Sequence, residues 1–516
     1  MALKLKSLLS AGMLLFTMTS ALKGVSRSDE PPVNPWLADS PWPMTHRNPY
    51  QQASSPLPGP DSSLLPGKFT YRFTGQLVNI TMAVSSEYPD GGRVYWGSNA
   101  GYVYKVMAGS DLEMIHKVSK PPLGRSFKPG NAVSGAYSLV DRDNRYYTVF
   151  GNTVLVYGDK YPSDIRSPMY LMGTLTIPDE ALTGGAGNDP IVGLNMTWDG
   201  HVVIATKRGT VGIISREMEL LSYRRLSQIE GGEEISNSIA VDEKGGIYVV
   251  SRQKMHKLVW NGSNLSADLI SGAWTADYDT GENQSGNGRL GSGSGSTPTL
   301  MGTGDQDKFV VITDGNKMTK LTLFWRDEIP EGWQPVAPGK DIRIAGEMTV
   351  DYGDPDRTSS ASEQSVLVRG YDAVVVSNDY RNVGAISGTG IGDENVNAIT
   401  SGIIAGISNW PLVRPWGVQK FRWNPELKKV EKVWSNLNIS CPNGVPTMSS
   451  ASNLFYCWGS RRGGWTLEAL NWDTGKQDFY RFIGFNPMYN SFYAALQIGE
   501  NSSVASGALS GVMELR

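Results

Sequence analysis

The chain carries almost no excess charge: 47 lysines and arginines face 50 aspartates and glutamates, a formal net charge of −3 over 516 residues. That balance leaves no basic footprint for a nucleic acid or an anionic membrane. Histidine is scarce, and His46, His116, His201 and His256 show no metal-ligand spacing, which argues against a multi-histidine copper or zinc centre. No GxxxxGK[ST] phosphate loop occurs, and SGSGS from Ser292 lies in a glycine-serine run instead of a strand-to-helix elbow. Long hydrophobic runs are missing too. The apolar stretch from Leu8 to about Met18 follows Lys4 and Lys6 and ends in Thr19, Ser20 and Ala21, the layout of a secretory signal and short for a membrane span. A signal peptide over residues 1–21, a secreted product and no stable membrane insertion are therefore expected; a buried first helix is the alternative.

Only two cysteines occur, Cys441 and Cys457. In an exported protein they can pair, restricting the unfolded chain by roughly 3 kcal/mol; two buried thiols are the alternative. Asn-x-Ser/Thr sequons at Asn79, Asn195, Asn261, Asn264, Asn283, Asn438 and Asn501 fit a secreted glycoprotein.

What the sequence does have is turns and short apolar runs. Its 59 glycines and 29 prolines suit many turns better than long helices. Hairpin phrases recur from Gly91 (GGRVYWGSNAGYVYKV), Asn144, Asp199, Gly245, Asp307, Tyr371 and Asn453. With Tyr95, Tyr146, Val203, Tyr248, Val311, Val375 and Phe455 as equivalent points, the intervals are 51, 57, 45, 63, 64 and 80 residues. Six of these runs are preceded by a small or polar cluster and a short β run, from Pro129, Gly187, Glu233, Gly295, Ala361 and Pro442. The pattern predicts an all-β chain forming a single β-propeller, with seven blades and eight as the next count. An extended segment over 22–65 would precede a propeller over 66–516. STPTL, after the glycine-serine run, would begin the innermost strand of one blade.

The phrases WPMTHRNP from Trp42 and VYWGSNAGYVYKV from Val94 make the chain resemble propellers with quinoprotein-like (PQQ-like) repeats. The resemblance covers about residues 42–490 as architecture. It implies that a quinone cofactor is conceivable, yet the adjacent cysteines of alcohol-oxidising quinoproteins and the CxxCH haem motif are absent.

The clusters ahead of the innermost strands are the candidate channel lining: Asn131, Asn188, Asn237, Ser296, Thr297, Gln364 and Asn443. Asp189, Glu234, Asn237 and Glu363 are candidate calcium ligands, and Glu234, Glu363 and Asp189 candidate catalytic carboxylates for a calcium-dependent lactonase- or esterase-like hydrolase, in which the ion polarises a carbonyl and a carboxylate activates water. Capping of loops and strand ends explains the same residues. Trp410, Trp416, Trp423 and Trp434 form either an aromatic shelf or packing between blades. Two functional readings follow: a recognition scaffold for a small-molecule, glycan or protein partner, or a channel enzyme of the hydrolase or quinoprotein-like oxidoreductase kind.

Overall fold

A computed structural model describes residues 29–64, 67–75, 81–99, 101–109, 111–121, 137–185, 187–227, 233–281, 293–382 and 403–516. The described strands form eight separate sheets, the blades of one propeller, antiparallel except where a strand of the N-terminal segment joins blade 7. Blades 1 to 8 begin with the innermost strands Thr81–Val84, Leu139–Val140, Ile191–Met196, Ala240–Val241, Thr299–Met301, Leu367–Arg369, Thr447–Ser449 and Gln497–Ile498. STPTL thus does lead into the innermost strand of blade 5.

The expected count of seven is corrected to eight. The seven apolar hairpin centres are the second strands of blades 1 to 7. Blade 8 was hidden because it is split across the termini: Val504–Ala508 and Gly511–Leu515 form its middle, and Phe69–Phe73 pairs with Gly511–Leu515 as its outermost strand. Its second strand, VASGA, has little apolar bulk to mark it. Among the described residues the 80-residue interval holds no extra blade, since Val418–Asn424 is the third strand of blade 6, set off from the second by a long insertion.

Second strands such as Val94–Ser98, Val202–Thr206 and Phe309–Thr313 are buried along their whole length, because each blade is covered on both faces by its neighbours. The outermost strand Met169–Thr176 is mostly exposed. Turns into the second strands are fixed by aspartates. Asp141 accepts the backbone N–H groups of Asp143 and Arg145 and the hydroxyl of Tyr147, and Asp242 repeats this with Lys244, Gly246 and Tyr248.

Neighbouring blades are joined by buried lysines on third strands. Lys105 reaches from blade 1 to Asp159 of blade 2 at 2.6 Å, Lys257 from blade 4 to Arg326 O and Asp327 of blade 5 at 3.2 Å each, and Lys420 from blade 6 to Trp472 O of blade 7 at 2.9 Å. Each ammonium also lies over an aromatic ring: Tyr88, Tyr248 and Trp472 respectively.

Cys441 and Cys457 form a disulfide. Cys457 lies on the second strand of blade 7, and Cys441 on the chain leading into that blade, so the bridge lies in the penultimate blade and ties the incoming chain to a strand.

The stretch from Asn34 to Ser55 threads around the channel. Val84 and Val140 donate their N–H groups to Trp42 O and Pro43 O; Val241, Leu300 and Val368 donate to Pro49 O, Tyr50 O and Gln52 O. Asn34 donates to Met196 O and Thr197 O of blade 3, and Ser54–Ser55 pairs in parallel with Met448 and Ser449 of blade 7. The thread therefore bonds to blades 1 through 7. It requires tight bends: His46, Arg47, Gln51 and Ala53 all have positive φ.

Candidate functional site

Because strand direction alternates, the chain runs into every innermost strand at one face, here the upper face. The first-to-second turns lie at the lower face, where the thread lies. The described candidate residues before the innermost strands therefore lie towards the upper face.

The channel wall is laced by polar side chains that reach the next blade or the thread. Asn195 Nδ2 donates to Ile239 O (2.8 Å) and Pro49 O (3.1 Å), Thr299 Oγ1 to Val366 O (2.9 Å), and Thr447 Oγ1 to Ala53 O (2.7 Å). One step higher, Thr297 Oγ1 accepts from Ser238 N (3.2 Å) while Thr297 N donates to Ser365 Oγ (3.3 Å). Tyr137, leading into blade 2, reaches Thr297 of blade 5 with an OH–Oγ1 distance of 3.2 Å. His46 of the thread meets the edge of the Tyr137 ring at 6.0 Å and holds Gln51 Oε1 at 3.0 Å from Nδ1. Burial lowers the His46 pKa to about 4.

The predicted carboxylates take separate duties. Both Asp189 oxygens accept backbone N–H groups, from Thr183 (2.9 Å) and Arg208 (2.7 Å), and burial raises its pKa. Glu234 stands half-exposed, 3.9 Å from Arg252. Glu363 is buried, with its carboxylate against Gly295. Among the described residues no three histidine, cysteine, aspartate or glutamate side chains gather as an ion site. Asp189, Glu234 and Glu363 thus do not form one three-carboxylate cluster.

Ser296 is buried and accepts from Thr313 N (3.0 Å); Asn237 donates to Ser294 O (3.2 Å); Asn188 is exposed and donates to Gly184 O (2.9 Å). Asn443 is buried and donates to Ala405 O, Ser408 Oγ and Asn490 Oδ1, tying blade 7 to the blade 6 insertion. Gln364 is buried, and both its amide atoms lack a partner. Asn131, Asn79 and Asn283 lie outside the described residues. Of the remaining sequon asparagines, Asn261, Asn264, Asn438 and Asn501 are exposed, while Asn195 is buried in the channel wall. The tryptophans do not form one shelf: Trp423 packs against Phe309 and Trp325 between blades 5 and 6, Trp434 donates to Trp472 O, Trp416 lies under Arg414, and Trp410 is exposed.

A cluster that sequence reading missed joins Ser251, His256 and Glu233 at the upper edge of blade 4. His256 Nε2 lies 3.3 Å from Ser251 Oγ and 3.2 Å from Glu233 Oε1, and Nδ1 meets Thr275 Oγ1 at 3.3 Å. Serine and acid thus share one ring nitrogen, whereas a relay needs them on opposite nitrogens. Ser251 Oγ also accepts N–H groups of Gln253 and Lys254, so the cluster holds a turn. No short motif signals it, since its members are separated by strand and loop.

On the lower face, a depression of about 1560 Å³ is walled by Pro31, Pro32, Pro35 and Pro49 of the thread together with Arg142 and Asp305. Among the described residues no helix is long and apolar enough to cross a membrane.

The fold and channel define an eight-bladed all-β propeller whose axis is occupied by its own N-terminal thread. The chain is 40% identical over 489 residues to a protein of Archaeoglobus fulgidus described as uncharacterized, covering 94% of this chain and 89% of that one, and it belongs to the same family. No protein-family model matches. Among solved structures it is similar to the quinohemoprotein alcohol dehydrogenase ADHIIG of Pseudomonas putida HK5, at 12% identity and TM-score 0.52, covering 93% of this chain and 80% of that one. It is also similar to BamB from Moraxella catarrhalis, at 11% identity and TM-score 0.46, covering 87% and 97% of the two chains. At such identities the likeness to the dehydrogenase is one of fold alone.

Proposed function

We propose that this protein is an exported recognition scaffold that binds a partner through its upper face. The observation that carries this reading is the occupied axis: thread and Tyr137 fill the space where a channel enzyme would place its substrate, and Asp189 is committed to backbone groups. The described strand ends that flank residues 122–136, 228–232, 282–292 and 383–402 all lie at the upper face, on the rigid support of the blades. Export through residues 1–21, glycosylation at the exposed sequons and a disulfide suited to an oxidising compartment belong to the same proposal.

The test uses the full chain secreted from a eukaryotic host, analysed for metal and quinone and then screened against glycan and protein arrays. The expected result is a mature N-terminus near Leu22, no stoichiometric calcium or quinone, and capture of a partner that is lost when residues 282–292 are replaced by a short linker. Stoichiometric calcium that disappears in both Glu234→Gln and Glu363→Gln, or a bound quinone, overturns the proposal in favour of channel chemistry.

A further inference from the structure

We propose that the upper mouth between blades 5 and 6 holds a binding site for a small neutral hydroxylated molecule, a polyol or monosaccharide, gripped by Ser362 and Gln364. This rests on the recognition reading and gives it a ligand class.

Ser362 Oγ and both amide atoms of Gln364 are buried without a hydrogen-bonding partner, although these residues are only 2% and 1% exposed. Native interiors leave few such atoms, and three within three residues mark a place where something else completes the bonding. The surroundings are polar. Thr313 Oγ1 donates to Ser362 O at 3.4 Å and lies 3.2 Å from Ser296 Oγ, which places hydroxyls of blade 5 beside the chain entering blade 6. The glycine-serine run contributes directly: a Cβ on Gly295 would stand 2.6 Å from the Glu363 carboxyl carbon, so a residue without a side chain makes room for that carboxylate. The hydroxyls of Tyr380 and Tyr493 lie 3.4 Å apart, and both rings feel the Glu363 charge. Phe492 and Tyr493 both have positive φ, a costly conformation for two aromatic residues in succession, held by N–H bonds to Asn490 Oδ1 and Asn443 O.

The chemistry selects the ligand. An amide offers donors and an acceptor, and a serine hydroxyl offers both. An anion would face the Glu363 carboxylate, and an apolar ligand would leave the amide unpaired. A simple cation would give the Gln364 NH₂ group nothing to donate to. Hydroxyl groups, which donate and accept, meet the whole set.

The full-length protein is titrated calorimetrically with glycerol, inositol, glucose and galactose, alongside Ser362→Ala and Gln364→Leu. Saturable binding of at least one compound is expected, weakened about tenfold in Ser362→Ala, as for one lost hydrogen-bonding group, and abolished in Gln364→Leu. Unliganded Gln364→Leu should melt no lower than wild type, because it removes an unpaired amide; if it does not fold, Ser362→Ala decides. Absence of saturable binding, binding indifferent to the variants, or a crystal structure with water alone at the three atoms overturns the proposal. Partner capture through residues 282–292 is scored independently, so the scaffold reading can survive failure of this site.

Discussion

His46 and Asp314 titrate in the same range with opposite signs. His46 is buried in the thread, and its pKa falls from 6.5 to about 4 because burial penalises the imidazolium. Between those values the unfolded chain takes up a proton that the folded chain refuses, so its contribution is present above pH 6.5 and is lost as pH falls towards 4. Asp314 caps the turn after the second strand of blade 5, and burial raises its pKa from 3.8 to about 7. Its folded form keeps a proton that the unfolded chain has released, so that contribution is complete below pH 3.8 and is lost as pH rises through 7. His46→Asn, which retains a donor and tolerates positive φ, is expected to flatten the loss of stability on acidification. Asp314→Asn should raise stability at pH 8, by up to about 4 kcal/mol for a shift of this size. Urea unfolding from pH 4 to 8 checks both, and an unchanged slope in either variant refutes that assignment.

Elements meet through residues whose role depends on a neighbour far along the chain. Lys105 is 0% and Asp159 3% exposed at the side chain, and burial lowers the lysine pKa while raising that of the aspartate. Charges buried this deeply are poor net stabilisers as a pair but costly to separate. Lys105→Met alone is expected to lose about 3–5 kcal/mol, and Lys105→Met with Asp159→Asn to recover most of it while sparing the acceptor for Tyr88 OH. Denaturant midpoints for the single and double variants decide between this ion pair and simple packing. Such latches explain what the sequence could show. Second strands were legible because VYWGS and FVVIT are buried on both faces and so read as unbroken apolar runs. For Lys105, Lys257 and Lys420 nothing local announces the partner in the next blade: the Asp159 carboxylate, Arg326 O with Asp327, and Trp472 O respectively. Asp189 and Gln364 both read in the sequence as polar residues at strand approaches. Nothing local could tell a carboxylate saturated by backbone N–H groups from an amide left unpaired.

The ring closes twice, and both closures use the N-terminal region. Phe69–Phe73 completes blade 8 beside Gly511–Leu515, joining an N-terminal strand to the C-terminal one in one sheet. The thread then links the innermost strands of blades 1 to 7 from within the channel. Neither closure is periodic, so a count of apolar centres missed the eighth blade and an extended, proline-rich reading of the thread missed its partners. The two closures should contribute separately. A chain starting at residue 61 keeps the blade 8 strand but exposes the channel-facing N–H groups of Val84, Val140, Val241, Leu300 and Val368 to water. It also leaves the Asn195 and Thr447 side chains short of a partner each, and uncovers the apolar surface packed against Trp42 and Tyr50. Regained hydration offsets the N–H groups in part, leaving a loss on the order of 5 kcal/mol from apolar exposure and weakened polar contacts. That shortened chain is expected to fold into a ring with a lower Tm, and to exchange the amide hydrogens of those five residues far faster than wild type. A chain starting at residue 75 loses the blade 8 strand as well, leaving the edge of Gly511–Leu515 unpaired, and should self-associate through that edge. Hydrogen exchange read by mass spectrometry, with sedimentation of both shortened chains, separates the outcomes; wild-type protection at Val241, Leu300 and Val368 in the first chain would show that the thread does not hold the channel wall.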